Sequence, residues 1–455
     1  MGEGTPGVES VQSVPMAHRS LGKEEKPLSV CIHSPRRTLY GVAEHVRCGK
    51  NHIYEPQVVP LGPYHHRRHP QRDLVDPLKN ELRDLVCGDA SRKSSLLSNI
   101  HERIDEIRHF YGGADGFTDT ELAEMMLRDA CFLIGYMIGG DCYTLICRRL
   151  GMSGNLVMYG DMRMLENQIP FWLISLIRPD HESLLCEYMN LIVFGDNSRA
   201  AHIPWGNNEG REPIVFGGYT RITQLPWENG KGEEEPLHLL EASRRTLLSL
   251  ADNQENGVVK ESSRTVWKMV NSPFRSVTDL KEKGIHFRRS SNCLTDITFT
   301  SFALYSELRL PSFYLSDNTK VYFSNIIAFE MSPETRTNFA VTSYFNFMKA
   351  LIHNVNDVKV LREKGILYGL LASDEEVVGI FKSIDTYGYS NRTCGLFRDV
   401  KMGIEEHCNS RVRTWTADLM KTNFRSPRTV VALAAAAFLI CLTFLQTYFT
   451  IHPRK

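Results

Sequence analysis

The stretch Thr118–Gly140, TDTELAEMMLRDACFLIGYMIGG, decides the fold class. Thr118 followed three residues later by Glu121 makes a capping box, in which each side chain satisfies a backbone N–H that the first helical turn leaves unpaired. Leu122, Met125, Met126, Leu133 and Met137 then recur at the spacing of one helical face. Gly139–Gly140 stops the run. A helix this long with so broad an apolar stripe predicts a helical core.

Working outward, Leu78, Leu82, Leu85 and Val86 repeat the pattern upstream. Tyr344, Phe347, Met348, Leu351 and Ile352 repeat it downstream, as do Val377, Ile380, Phe381 and Ile384 behind a second capping box at Ser373 and Glu376. A short helical pattern surrounds Leu239, Leu240, Leu247 and Leu248. Ile285–His286–Phe287, Ile297–Thr298–Phe299 and Phe313–Tyr314–Leu315 read as short strands between turns. The expected architecture is mainly α with a small β element: a helical globular domain over 30–392, plus one C-terminal transmembrane helix. Residues 1–29, rich in Gly, Ser, Glu and Pro and without an apolar run, predict a disordered lead with no cleaved signal peptide. Residues 197–263, dominated by Gly, Asn, Pro and Glu, predict a variable insertion or surface excursion within the domain.

Residues 429–451 carry no charge. As a helix these 23 residues reach about 34 Å, against a hydrocarbon core of roughly 30 Å, so the stretch predicts a transmembrane helix. A helical stalk over 393–428 leads into it, and a short tail, 452–455, follows. Arg411, Arg413, Lys421, Arg425 and Arg428 precede the span, whereas Arg454 and Lys455 follow it. That excess predicts a cytosolic N-terminal domain on a plasma membrane or endomembrane, in the tail-anchored manner. The sequon Asn391–Arg392–Thr393 would then escape glycosylation. Ala432 and Ala436 have the spacing of a small-xxx-small face through which two copies could pair, though chance spacing among so many alanines explains it better.

Hydrophobic residues make up 42% of the 455, ample for a core, and 53 basic residues balance 53 acidic ones. Such balance argues against nucleic acid as a partner. Eleven scattered cysteines without a CxxC pair suggest reduced, buried thiols.

The densest chemistry is Tyr64–His65–His66 with His69, bracketed by Pro63 and Pro70. Zinc needs three or four ligands on a fixed scaffold; His65, His66 and His69 are the candidates, but a structural turn or a binding surface accounts for them better, and no metal is assigned. Cys131 beside Asp129 could be a nucleophile, since a thiolate needs a base or a helix N-terminus to activate it; its place on the apolar stripe argues for burial instead. Glu166–Asn167–Gln168 precede Pro170 and are expected to cap and anchor the segment that follows, with Leu165, Ile169, Trp172, Leu173 and Leu176 close to one buried helical face. No phosphate loop, GxSxG, HExxH or dinucleotide fingerprint is present, and no cofactor is expected.

Taken together, these blocks resemble the plant family DUF247, also called UPF0481. Tyr54–Glu55–Pro56–Gln57–Val58–Val59–Pro60–Leu61–Gly62–Pro63–Tyr64–His65–His66 is similar to its opening motif. Asp161–Met162–Arg163–Met164–Leu165–Glu166–Asn167–Gln168–Ile169–Pro170–Phe171 is similar to its ENQIPF block. Leu310–Pro311–Ser312–Phe313, Asn325 to Glu330, Thr342 to Met348, Asp357–Val358 and Ser373 to Glu376 complete the order. Gly135 stands where the family usually has Glu, which weakens any role for that position as a catalytic acid, and Arg163–Met164 replace a usual Leu pair. The resemblance implies membrane association without an established activity, and in grasses a role for some members in self-incompatibility. Two readings follow: a membrane-anchored, non-enzymatic recognition or signalling protein that binds another protein, or a membrane-tethered hydrolase or transferase using His65, His66 or Cys131.

Overall fold

The helix expected from the capping box runs Asp119–Ile138, and both reciprocal bonds of the box are made. Gly139, at φ 75°, ends it. In the computed structural model the described residues are 38–47, 49–194, 222–228, 234–249, 275–290, 293–302, 305–333, 335, 337–371, 373–387, 395–409 and 427–451. The expected lead 1–29, most of the excursion 197–263, the sequon Asn391, the basic residues Arg411, Arg413, Lys421 and Arg425, and the tail lie outside them, as does the side chain of Ala432.

Helix Asp119–Ile138 is buried along most of its length and packs against Arg72–Cys87, Ala90–Glu102, Gly140–Asp161, Trp172–Ile177 and Glu182–Phe194. Leu78 and Leu82 face it, as their spacing predicted; Leu85, on the same predicted stripe, is exposed. Gly135 sits where a Cβ would come within 3.3 Å of Leu82 and 3.5 Å of Cys142, so this close approach uses the missing side chain. Thr319–Glu330, Ala340–Leu351 and Asp374–Ser383 pack together through the aromatic rings of Phe323, Tyr344, Phe345 and Phe381 with Phe313, while Leu239–Ser249 packs on the first of these helices and Val355–Glu363 on the last.

Two carboxylates start helices that are not their own. Ala340–Leu351 has no side-chain N-cap; Glu330, from the preceding helix, accepts from Val341 N at 3.2 Å and from Thr342 N at 2.9 Å. Negative charge at these unpaired N–H groups is the favourable sign. Asp357 likewise takes Thr278 N at 2.8 Å besides completing the Asn354 capping box of its own helix.

The β element comprises β1 Ile285–Arg289, β2 Thr298–Ser301, β3 Ser306–Leu310, β4 Phe313–Leu315 and β5 Leu367–Gly369. β3 is central, parallel to β1 (Ile285 opposite Ser306) and antiparallel to β2 (Thr298 opposite Arg309). β4 and β5 form a parallel pair. The fold is mainly helical with these small sheets.

Within the region expected as a stalk, helix Arg398–Asn409 lies on the three-stranded sheet. His407 reaches Ser306 Oγ at 2.9 Å and Lys283 O at 2.9 Å, and Gly403 lets Phe299 approach. The expected span falls in helix Pro427–Ile451, whose described apolar stretch is Phe438–Tyr448. Among the described residues no single helix is long and apolar enough to cross a membrane.

Candidate functional site

The two motif blocks meet. Pro56–Gly62 runs without regular secondary structure, and Pro60 has no N–H to give. Every other backbone N–H from Gln57 to Gly62 is taken by a buried side chain. Asp161, the last residue of its helix, accepts from Gln57 N at 2.8 Å, Val58 N at 2.7 Å and Val59 N at 2.9 Å. Asn167 Oδ1 accepts from Leu61 N at 2.6 Å, while its amide donates to Val59 O at 2.9 Å and Asp161 O at 3.0 Å. Asp129 Oδ2 accepts from Gly62 N at 2.8 Å. A chain without a strand partner must satisfy these groups somehow, because an unpaired buried amide costs roughly 1–3 kcal/mol. Burial pushes the Asp161 carboxyl above the ordinary range and prevails over the three N–H groups that pull it down.

Gly62 has φ 68°, in the region that favours glycine, and a Cβ there would lie 2.7 Å from Tyr111 Oη. Tyr111 donates to Gln168 O at 3.0 Å. Gln168 in turn donates to Met164 O at 2.8 Å and Met162 O at 3.0 Å and accepts from Leu240 N at 3.0 Å. Behind this unit Asn325 accepts from Leu165 N and donates to Ile53 O, both at 2.8 Å.

Glu166 forms the polar centre. Its carboxylate accepts from Val42 N at 2.7 Å, is paired with the Arg47 guanidinium through both oxygens, and lies 3.1 Å from His65 Nε2. Arg47 also holds Glu55 at 2.8 Å. Burial raises the Glu166 carboxyl, but the bonds from His65, Arg47 and Val42 outweigh it and leave the group below the usual carboxylate range. Tyr64 donates to Leu39 O at 2.8 Å and meets Tyr111 edge-on.

The three histidines diverge. His65 turns to Glu166; His66 is buried edge-on against Phe117; His69 reaches Pro56 O at 3.0 Å. Burial holds His66 and His69 below the ordinary histidine value. Among the described residues no group of three or more His, Cys, Asp or Glu is arranged to hold a metal ion. Cys131 is buried and its Sγ lies 3.8 Å from Cys87 Sγ, so it does not join the histidines. Pro63 is the first residue of the short helix that carries Tyr64 to His66.

The helical face expected after Glu166 needs correction. Glu166–Asn167 lie in a 3-10 turn, Ile169 and Pro170 have no regular secondary structure, and the α-helix begins only at Trp172. Leu165, Ile169 and Leu173 of the expected face are buried, joined by Phe171, Ile174 and Ile177, with Phe171 edge-on to Trp227 at 5.7 Å. Trp172 and Leu176 are only partly covered, and the Arg103 guanidinium lies 3.8 Å above the Trp172 ring. Sequence reasoning also missed Lys79, Arg47, Asp161 and Asn325 as partners of the motifs. A charged or amide residue among helical apolar neighbours is the signal at Lys79 and Asn325; Arg47 has none.

A helical domain in which scattered sequence blocks serve as one another's hydrogen-bond partners is thus defined. A family model described as a plant protein of unknown function, DUF247, matches residues 39–442. The chain belongs to that family. It is similar to UPF0481 protein At3g47200 of Arabidopsis thaliana, 25% identical over 433 residues, 87% of this chain and 82% of that one. The putative UPF0481 protein At3g02645 of the same plant is 24% identical over 174 residues, 38% of this chain and 32% of that one. No solved structure matches the chain.

Proposed function

We propose that the chain is a membrane-anchored recognition protein, with its helical domain on the cytosolic side binding another protein and residues 429–451 held in a bilayer. The observation that carries the recognition reading is the use to which the motif side chains are put. Glu166, Asn167, Gln168, Asp161 and Asp129 are all buried and engaged by backbone groups or by a cation. They stiffen a scaffold; a reactive centre would instead turn at least one of them toward a substrate. The buried Cys131 thiol, pushed up by its bond to Cys87 and by burial, is poorly suited to attack a substrate carbonyl.

The anchor is supported by the side chains of Phe438, Leu439, Ile440, Leu442, Phe444, Leu445 and Tyr448, which are all exposed along one helix. Seven large apolar groups left to water would be costly at ~25 cal/mol per Å², and a hydrocarbon phase removes that cost.

Proximity labelling in plant cells, with a biotin ligase fused to the N-terminus, tests both parts. The expected result is a reproducible set of labelled membrane and cytosol-facing proteins. Labelling confined to lumenal proteins overturns the orientation. A Glu166→Gln chain that stays folded but loses a detectable hydrolytic or transfer activity would favour an enzyme.

A further inference from the structure

We propose that Cys87 and Cys131 are a peroxide-oxidised pair that closes an intramolecular disulfide between helices Arg72–Cys87 and Asp119–Ile138. The two sulfurs are 3.8 Å apart, in van der Waals contact, with both side chains buried. Cys87 is the last residue of its helix, and Gly88, at φ 81°, follows it. Disulfide bonding needs the sulfurs at ~2.05 Å. The terminal residue of a helix, released at once by a glycine, can supply that movement, whereas Cys131 is fixed in mid-helix.

The surroundings divide the labour between the thiols. The bond from Cys131 draws the Cys87 thiol down to about 7, against the effect of burial and with help from Arg92 and Arg83. Cys131 is pushed up, by donating that bond and by burial. Cys87, at the helix end beside the exposed Gly88 and Asp89, is the thiol that peroxide meets first, and Cys131, in mid-helix behind it, is the resolving thiol. The Cys87 thiolate attacks hydrogen peroxide, the O–O bond breaks, and Cys87 sulfenic acid and hydroxide result. Cys131 then attacks the sulfenic sulfur; the S–O bond breaks, the S–S bond forms, and the hydroxyl leaves as water with the Cys131 proton. The proton first lost by Cys87 neutralises the hydroxide. In total, two thiols and one peroxide give one disulfide and two waters. Peroxide is close to water in size and enters past the helix end at Gly88 and Asp89, both on the surface.

This cross-link would join the same two helices that hold Lys79 and Asp129, and so fasten the bed of the Pro56–Gly62 segment. The test treats the folded full-length chain with hydrogen peroxide, blocks remaining thiols with maleimide under denaturing conditions, and maps peptides by mass spectrometry. The tryptic peptide carrying Cys131 also carries Cys142 and Cys147, so fragmentation must locate the bond. A Cys87–Cys131 link two hydrogens lighter than the free peptides is expected, together with a raised melting temperature. Cys131→Ser should trap a dimedone-reactive Cys87, and Cys87→Ser should leave Cys131 unreacted. Recovery of both thiols as maleimide adducts from the treated wild-type chain overturns the proposal, as does linkage spread equally over Cys142 and Cys147.

Discussion

Lys79 Nζ lies 2.7 Å from Asp129 Oδ1, and solvent reaches neither side chain. The same ammonium bonds Pro60 O, and the same carboxylate bonds Gly62 N, so one ion pair pins both ends of the Pro60–Gly62 turn. Removing one member of a buried pair strands the other, at roughly 3–5 kcal/mol. Lys79→Met should therefore destabilise the chain by about that much in denaturant titration. Adding Asp129→Asn should restore part of the loss, since an amide oxygen can still accept from Gly62. A Lys79→Met chain that unfolds at the wild-type midpoint would show that the pair contributes nothing.

Glu166→Gln keeps the shape but loses the charge that meets Arg47 and His65. Because the Arg47 side chain retains 16% of its exposure, the expected cost is at the lower end for such pairs, ~2–3 kcal/mol at neutral pH.

That cost should depend on pH. The folded Glu166 carboxyl is held below its unfolded value, about 4.3. A depressed acid adds stability that is complete above the unfolded value and lost as pH falls through the folded one. The gap between wild type and Glu166→Gln should thus be constant from neutral pH to about 5 and shrink below it. The raised Asp161 acts with the opposite sign but is common to both proteins, so it cancels in the difference. Melts at stepped pH check this; a gap that widens in acid contradicts it.

Phe171 and Trp172 are neighbours with unequal burdens. Phe171→Ala should cost ~3–5 kcal/mol, as a buried ring deleted from a packed core. Trp172→Ala loses partial burial and the Arg103 contact, the latter worth ~0.5–1 kcal/mol. Melting temperatures should fall in that order, and the reverse order would place the tryptophan in the core after all.

Deleting Thr429 onward should move the chain from carbonate-washed membranes to the soluble fraction, and protease added to intact vesicles should digest the helical domain. Persistence in the washed membrane, or a glycan on Asn391, would disprove the single anchor or its orientation respectively.

The sequence was most readable where structure is local. The capping box at Thr118, the face of Ala340–Leu351 and three of the strands are set by neighbours a few residues away. β3 was missed because its segment, Ser306–Leu310, mixes Glu and Arg with two leucines, and its place in the sheet comes from both flanking strands. β5 is three residues ending in glycine, too short to carry a pattern. Trp172 was misplaced because the chain leaves the helical register at Gln168 to Pro170, which delays the helix and shifts its phase. The site was legible as motifs but not as contacts. Glu166, Asn167 and Gln168 were expected to serve the residues just after them, whereas Glu166 meets Val42 and Asn167 meets Leu61, each more than 100 positions away.

The long-range bonds of the N-terminal segment bear on how the chain is made. Tyr54 Oη bonds Tyr387 Oη at 2.7 Å across 333 positions, and Ile53 O waits for Asn325 across 272. At ~5–20 residues per second, a ribosome needs roughly 15–70 s to deliver Tyr387 after Tyr54 has emerged. Val59 and Leu61 meet Asp161 and Asn167 about 100 residues later, whereas Ile53 and Tyr54 wait for the C-terminal half of the chain. The N-terminal segment thus closes on the last of its partners only when most of the chain has been made.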